Sequence, residues 1–306
     1  MSFDSFDNEM LLFTVKMNVL KVIVFLILIG SSKSDNNNDL IIKSGYPKFP
    51  NPQQSCGVRG VDWNPRSSKV IGGESPPLGA VPWIVDLIHK GRHHCGGVLI
   101  SSRLILTVAH CYLDGLSGRV GQQNETFEQI LKVEKSIVHP DHRKSGPYSN
   151  DIALLLVSKP GFTRNKFIKP ACVPKETPPE GTRCEVSGWG IFNPHGQKEI
   201  SSTLQTATVP LLSSEICKKG HILGGKRQEI LETMVCAGKL RGGVDACGGD
   251  SGGPLMCFHE GKFVLTGLVS WGDGCAKKHK PGVYTKVSSY KDWIVKTAEE
   301  LGIKSV

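Results

Sequence analysis

No C-x-x-C pair occurs in this chain of 306 residues, although it carries ten cysteines. Zinc ribbons are built on that spacing, and its absence argues against a metal site. His93-His94-Cys95 is a dense run of metal-type side chains, yet no second pair of ligands lies near it. Aromatic residues make up 7 % of the chain, and none form a stacking platform beside the basic clusters. Nucleic acid is therefore not an expected partner. No internal repeat is found. Val22–Ile29 is apolar but too short to span a bilayer unaided.

What is present points to a secreted globular protein. The chain is 39 % hydrophobic, enough for one or two compact cores. An even number of cysteines at scattered spacings reads, in a secreted chain, as a disulfide framework. Lys16 and Lys21 precede the Val22–Ile29 run and Gly30-Ser-Ser32 follows it, the layout of a secretory signal over residues 1–32. The first ten residues are acidic, wrong for a signal, so Met17 makes a better start than Met1. A signal anchor holding the protein on a membrane is the competing reading. Net charge is +9, spread over clusters such as Lys90-Gly-Arg-His-His94 and Lys277-Lys-His-Lys280. Scattered basic clusters of this kind read as solvated loops, with a glycan or anionic surface as the next reading.

Residues 31–69 are rich in Ser, Asn, Lys and Pro, a composition that suits an extended, poorly packed segment. From Val70 the text changes to short apolar runs between Gly/Pro turns, such as Trp83–Ile88, Gly97–Ile100 and Phe263–Val269. That rhythm predicts all-β barrels or sandwiches. One helix is expected, at the end, with Ser288 or Ser289 as its cap, Leu301 near its last turn and Gly302 to stop it.

The richest stretch is Asp245-Ala-Cys-Gly-Gly-Asp-Ser-Gly-Gly-Pro254. Glycines at this density let consecutive N–H groups point at one spot. Amides converging beside a serine hydroxyl suit acyl transfer, whose tetrahedral intermediate carries a negative oxygen there. A serine needs a base to take its proton. His110, expected on the apolar strand Leu106–Cys111, and Asp151, opening the run Asp151–Val157, are the candidates. In the order His110, Asp151, Ser251 these residues resemble the chymotrypsin/trypsin-like serine proteases. The resemblance covers about residues 70–300. It includes Thr107-Val-Ala-His-Cys111, Asp151-Ile-Ala-Leu154, Ser187-Gly-Trp-Gly190, Gly249-Asp-Ser-Gly-Gly-Pro254, Ser270-Trp-Gly272 and Pro281-Gly-Val-Tyr284.

The resemblance implies an all-β fold: two six-stranded antiparallel β-barrels, roughly residues 70–175 and 176–306, with a C-terminal α-helix. It implies His110, Asp151 and Ser251 as catalytic residues and the Gly249 and Ser251 N–H groups as the oxyanion hole. Asp245 would lie at the base of the S1 pocket, selecting Arg or Lys. Ala246, Ser270, Trp271, Gly272 and Gly282 would complete it, with Ala246 favouring Arg because it lacks a hydroxyl for the Lys ammonium. Residues 33–69 become a propeptide or light chain, cut between Lys69 and Val70, so that the new Val70 ammonium pairs with Asp250. The implied disulfides are Cys56–Cys172, Cys95–Cys111, Cys184–Cys257, Cys217–Cys236 and Cys247–Cys275, which leaves no free thiol. The expected partners are protein or peptide substrates with Arg or Lys before the scissile bond, an activating protease and protein protease inhibitors.

Departures from the family pattern narrow this reading. Gly248 stands where a larger residue is common, which opens the leaving side of the pocket. Gln122 replaces the first acid of a calcium loop, so calcium is not expected, and no cofactor or metal is implied. Asn124-Glu-Thr126 is a glycosylation sequon. A non-catalytic homologue acting as a binding or cofactor protein is the alternative from another class, but such relatives typically lose the nucleophile, which is present here. An α/β-type serine hydrolase would order its residues Ser, Asp, His.

Overall fold

The computed structural model describes residues 56–65, 73–121, 127–191, 200–223, 229–243 and 245–303. The signal-like segment, Lys69, Val70, Gln122 and Asn124 lie outside them. Twelve strands form two closed barrels, each of six antiparallel strands.

The first barrel contains β1 (Ile84–His89), β2 (Arg92–Leu99), β3 (Leu104–Thr107), β4 (Leu116–Val120), β5 (Gln129–Val138) and β6 (Ala153–Val157). Their order around the barrel is β1-β2-β3-β6-β5-β4. The apolar runs of β3 and β6 pair as Leu104↔Leu156 and Leu106↔Leu154. All four residues of β3 are buried, whereas β4 alternates buried and half-buried positions as its two faces require.

The second barrel contains β7 (Arg183–Gly188), β8 (Gln205–Leu212), β9 (Met234–Ala237), β10 (Pro254–His259), β11 (Lys262–Trp271) and β12 (Gly282–Lys286). They run in the order β10-β11-β12-β9-β8-β7. Val186, Val209, Leu255, Val269 and Tyr284 pack inside it. Closure leaves neither barrel an unpaired edge to template association.

All ten cysteines are bonded, in the five pairs Cys56–Cys172, Cys95–Cys111, Cys184–Cys257, Cys217–Cys236 and Cys247–Cys275. The segment 56–65 is held by more than its disulfide. Gly57 donates to Pro170 O at 2.9 Å and its own carbonyl accepts from Phe263 N at 3.0 Å. Arg59 is fully buried, forms an ion pair with the buried Glu185 of β7 and lies over the rings of Trp63 and Phe263.

Three local expectations are corrected. His110 is not on a strand: β3 ends at Thr107, and Ala109–Cys111 form a single 3-10 turn. The turn swings His110 out of the barrel wall, where it keeps partial exposure. The final helix, α2 (Lys291–Glu300), is not capped by Ser288 or Ser289, because a 3-10 turn over Val287–Tyr290 precedes it. The Ser288 hydroxyl instead meets that of Thr177 at 2.8 Å. Gly302 does end the helix: its φ is +74°, and Gly302 and Ile303 donate to the carbonyls of Glu299 and Ala298. A short helix not anticipated from the sequence, α1 (Ser214–Lys218), starts where the Ser213 hydroxyl accepts from Ile216 N at 3.2 Å.

Candidate active site

Asp151 lies two residues before β6 and is 1 % exposed. A buried carboxylate persists only where hydrogen bonds replace its lost water, and four donors or contacts meet this residue. Its Oδ2 lies 2.8 Å from His110 Nδ1, and its Oδ1 accepts from the His110 backbone N–H at 3.0 Å. Ser270 Oγ donates to the same Oδ2 at 2.6 Å. Thr285 Oγ1 donates to the Asp151 carbonyl at 2.7 Å. Burial pushes the Asp151 carboxyl up, but the bonds from His110 and Ser270 outweigh it and hold the group below its usual range. Ser270 and Thr285 come from β11 and β12, so the second barrel fixes a carboxylate belonging to the first.

Ser251 sits in the turn leading into β10 and is tied back to the first barrel. Gly96 N on β2 donates to Ser251 O at 2.8 Å, and Gly252 packs so closely on Thr107 and Gly96 that no Cβ would fit. Gly96 neighbours Cys95, whose disulfide to Cys111 reaches the turn carrying His110. The structure thus brings His110, Asp151 and Ser251 to one junction between the barrels. No hydrogen bond joins the His110 ring to the Ser251 hydroxyl; such contacts commonly tighten only when substrate is bound. Gly249 has φ +99° and Gly252 φ +80°, conformations that L side chains rarely adopt.

Beside Ser251 opens a cavity of about 210 Å³ whose lining includes Asp245, Ala246, Ser270, Trp271, Gly272 and Gly282. Asp245 stands in it with backbone N–H donors, Ala246 at 2.9 Å among them, and among the described residues no cation is paired with it. Desolvation raises its carboxyl to about 7. A Cβ on Gly282 would lie 2.8 Å from Asp245 Oδ1, so only glycine leaves the carboxylate accessible. Tyr284 is fully buried behind it, and burial together with the Asp245 charge drives its hydroxyl pKa well up.

Asp250 as a residue is half-buried, but its carboxylate is enclosed by backbone. It accepts from Gly190 N at 2.7 Å and Cys247 N at 2.9 Å, and Gly188 and Gly190 abut it with no room for a Cβ. Desolvation raises its pKa.

Several residues at the site were assigned no role from the sequence. Tyr148 packs edge-on to His110, with ring centroids 6.5 Å apart, and stacks on Trp271 at 5.5 Å. Trp271 also lines the cavity beside Ser251. Gly190 closes the Ser187–Gly190 motif and Thr285 directly follows the Pro281–Tyr284 motif, and neither carried a role of its own. Asp86 on β1, 1 % exposed, accepts from His93 and Arg119.

Two closed six-stranded barrels with Ser, His and Asp gathered at their junction define the class of two-barrel serine proteases. Comparison with known proteins agrees. The family model described as trypsin matches residues 70–294. Serine protease 56 of Mus musculus is 41 % identical over 264 residues, covering 80 % of this chain and 41 % of that protein. The renal glandular kallikrein of Mastomys natalensis is 39 % identical over 246 residues, 75 % of this chain and 90 % of its own length. Trypsin of Sus scrofa is 39 % identical over 233 residues, 75 % of this chain and 95 % of its own. The chain therefore spans about two fifths of serine protease 56 but nearly all of the kallikrein and the trypsin. It belongs to the trypsin family of serine proteases.

Proposed function

We propose that this chain is a secreted serine endopeptidase, made as an inactive precursor and activated by cleavage between Lys69 and Val70, that hydrolyses peptide bonds after Arg and, less readily, Lys. The observation that carries the reading is the buried Asp151–His110 pair beside a Ser251 that borders an Asp245-lined cavity.

In this mechanism Ser251 Oγ attacks the scissile carbonyl carbon while its proton passes to His110 Nε2. Asp151 keeps the Nδ1–H tautomer in place and stabilises the imidazolium that forms. The carbonyl oxygen becomes an oxyanion held by the N–H groups of Gly249 and Ser251. His110 then gives its proton to the leaving amine, which departs and leaves an acyl group on Ser251. Water repeats the sequence and frees the acid. Trp271 and its neighbours on β11 offer backbone groups to the substrate as an added strand.

For specificity, a desolvated carboxylate raised to about 7 is satisfied by an incoming cation. Arg bonds to it bidentately, whereas Lys would want the hydroxyl that Ala246 lacks.

For activation, Gly73 and Glu74 dock on Thr206, whose cross-strand partner Ser187 precedes the Gly188 that abuts Asp250. Val70 is three residues upstream, within about 10 Å of chain. An ammonium there would satisfy the enclosed Asp250 carboxylate and order the amides beside Ser251.

Five disulfides fit an oxidising, extracellular setting. An activating protease and protein inhibitors are the partners this reading calls for, beyond protein substrates.

The test is fluorophosphonate labelling of the full chain before and after cleavage at Lys69, followed by peptide-library profiling. Label on Ser251 only after cleavage, with cuts after Arg and Lys, is the expected result. A cleaved chain without label favours a non-catalytic binding role, and activity in an uncut Lys69→Gln chain overturns the precursor assignment.

A further inference from the structure

A second carboxylate–imidazole pair, Asp86 and His93, faces the loop that carries Ser251. His93 on β2 lies with Nδ1 2.7 Å from Asp86 Oδ1 and Nε2 2.9 Å from the carbonyl oxygen of Gly249. Both partners are acceptors. The carbonyl has no proton to give, and Asp86 is kept ionised by Arg119 of β4, whose Nε donates to the other carboxylate oxygen at 3.1 Å. A neutral imidazole carries a single N–H. Two simultaneous bonds to two acceptors therefore need a proton on each ring nitrogen.

We infer that Asp86 and His93 are a positioning pair for the reaction: Asp86 keeps His93 as an imidazolium, and the imidazolium fixes the Gly249 carbonyl so that the neighbouring N–H groups face the substrate. This rests on the reading of Gly249 and Ser251 as the oxyanion hole and names what holds that hole open. It makes His93 a charged strut between the first barrel and a loop of the second, across 156 residues of sequence.

The surroundings favour the charged ring. Asp86 faces it from β1, and Asp250 adds a second negative charge from the Ser251 loop. Arg119 acts on Asp86 and is itself 3.3 Å from Glu128. The indole of Trp189 covers the ring with centroids 6.0 Å apart. Burial disfavours the imidazolium, but the bonds to Asp86 and Gly249 outweigh it and raise the pKa. Burial likewise pushes Asp86 up, and His93 and Arg119 more than reverse that.

The sign follows. His93 is charged below its raised pKa and loses one proton as the pH climbs through it. The proton that stays bonds the charged acceptor Asp86, the stronger claim. Nε2 then turns a lone pair toward the Gly249 oxygen, and the contact becomes repulsive. The Gly249 peptide is released, and kcat falls on the alkaline side while KM changes little.

Two measurements on the cleaved full chain test this. In the Ser251→Ala protein, nitrogen-15 NMR should show two ring N–H groups on His93 at about pH 8, where an ordinary histidine is neutral. His93→Gln supplies the assignment. A single N–H there overturns the inference, whether or not Ser251 proves catalytic. In the otherwise wild-type enzyme, His93→Leu should lose about tenfold in kcat with little change in KM. His93→Gln, whose amide N–H can reach the same carbonyl, should recover part of that loss and keep only the alkaline fall that deprotonation of the Val70 ammonium brings. An alkaline profile identical in His93→Gln and wild type belongs wholly to another group and also overturns the inference. Fluorophosphonate labelling of the wild-type chain reports separately on the proposed function.

Discussion

Ser270 Oγ and His110 Nδ1 share a single oxygen, Asp151 Oδ2, at 2.6 and 2.8 Å. The first barrel supplies the imidazole and the carboxylate, and the second supplies the hydroxyl that stops the carboxylate from turning. Ser270→Ala should leave Asp151 ionised but less well aimed. A hydrogen bond to a charged group contributes about 1.5–3 kcal/mol, so we expect roughly a tenfold loss of kcat with KM unchanged. Asp151→Asn, which gives His110 the wrong tautomer, should lose about 10⁴-fold. Steady-state kinetics on an arginyl amide compare the two, and a fully active Ser270→Ala would make the hydroxyl a bystander.

The raised carboxyl of Asp245 gives the pocket its own pH dependence. Cation binding needs the ionised form, so affinity for a benzamidinium ion should be level above about pH 7. Below that value it should weaken by roughly tenfold per pH unit. Stability runs the other way. An acid whose folded pKa lies above its unfolded one favours the folded state only when protonated, so ionised Asp245 destabilises the empty enzyme above pH 7. Asp245→Asn should melt higher than wild type at alkaline pH, lose that advantage near pH 4, and bind no benzamidinium. Calorimetry reads both effects.

Gly282→Ala would place a methyl group 2.8 Å from Asp245 Oδ1. Overpacking of that kind costs about 1–3 kcal/mol, here levied on the bound cation. KM for arginyl substrates should rise about tenfold or more, while acylation of Ser251 by a small fluorophosphonate should keep its rate. Equal losses in both assays would mean the fold, not the pocket, was damaged.

Arg59→Met should remove the cation that pairs with the buried Glu185. Breaking one partner of such a pair costs about 3–5 kcal/mol, whereas replacing both by apolar side chains is often neutral. Denaturant titrations should therefore show a large loss for Arg59→Met and recovery in Arg59→Met/Glu185→Leu. Additive losses would refute the pairing.

Much of the site is local in sequence, which is why it could be read there. The glycines at Gly249 and Gly252 need their conformations, Gly282 needs its missing side chain, and Asp245 and Asp250 both precede Ser251 in one short stretch. The residues that hold these in place are distant. Ser270 lies 119 positions from Asp151, and His93 lies 156 from Gly249. Asp86 did leave a trace, as a lone charge in the apolar strand Ile84-Val-Asp-Leu-Ile-His89, but nothing in the text names its partners. His110 was misplaced on a strand because its flanking residues are apolar; the 3-10 turn depends on the Cys95–Cys111 bridge and the Asp151 bond to its backbone. The helix Ser214–Lys218 is five residues long, too short for any periodicity to register.

The stretch from Cys56 to Pro65 is bonded covalently to Cys172, in the segment that joins the barrels, and by an ion pair to Glu185 of β7. A cut after Lys69 would therefore not discard what lies upstream. The mature enzyme would travel as two chains, and any address written ahead of Cys56 would go on deciding where it works.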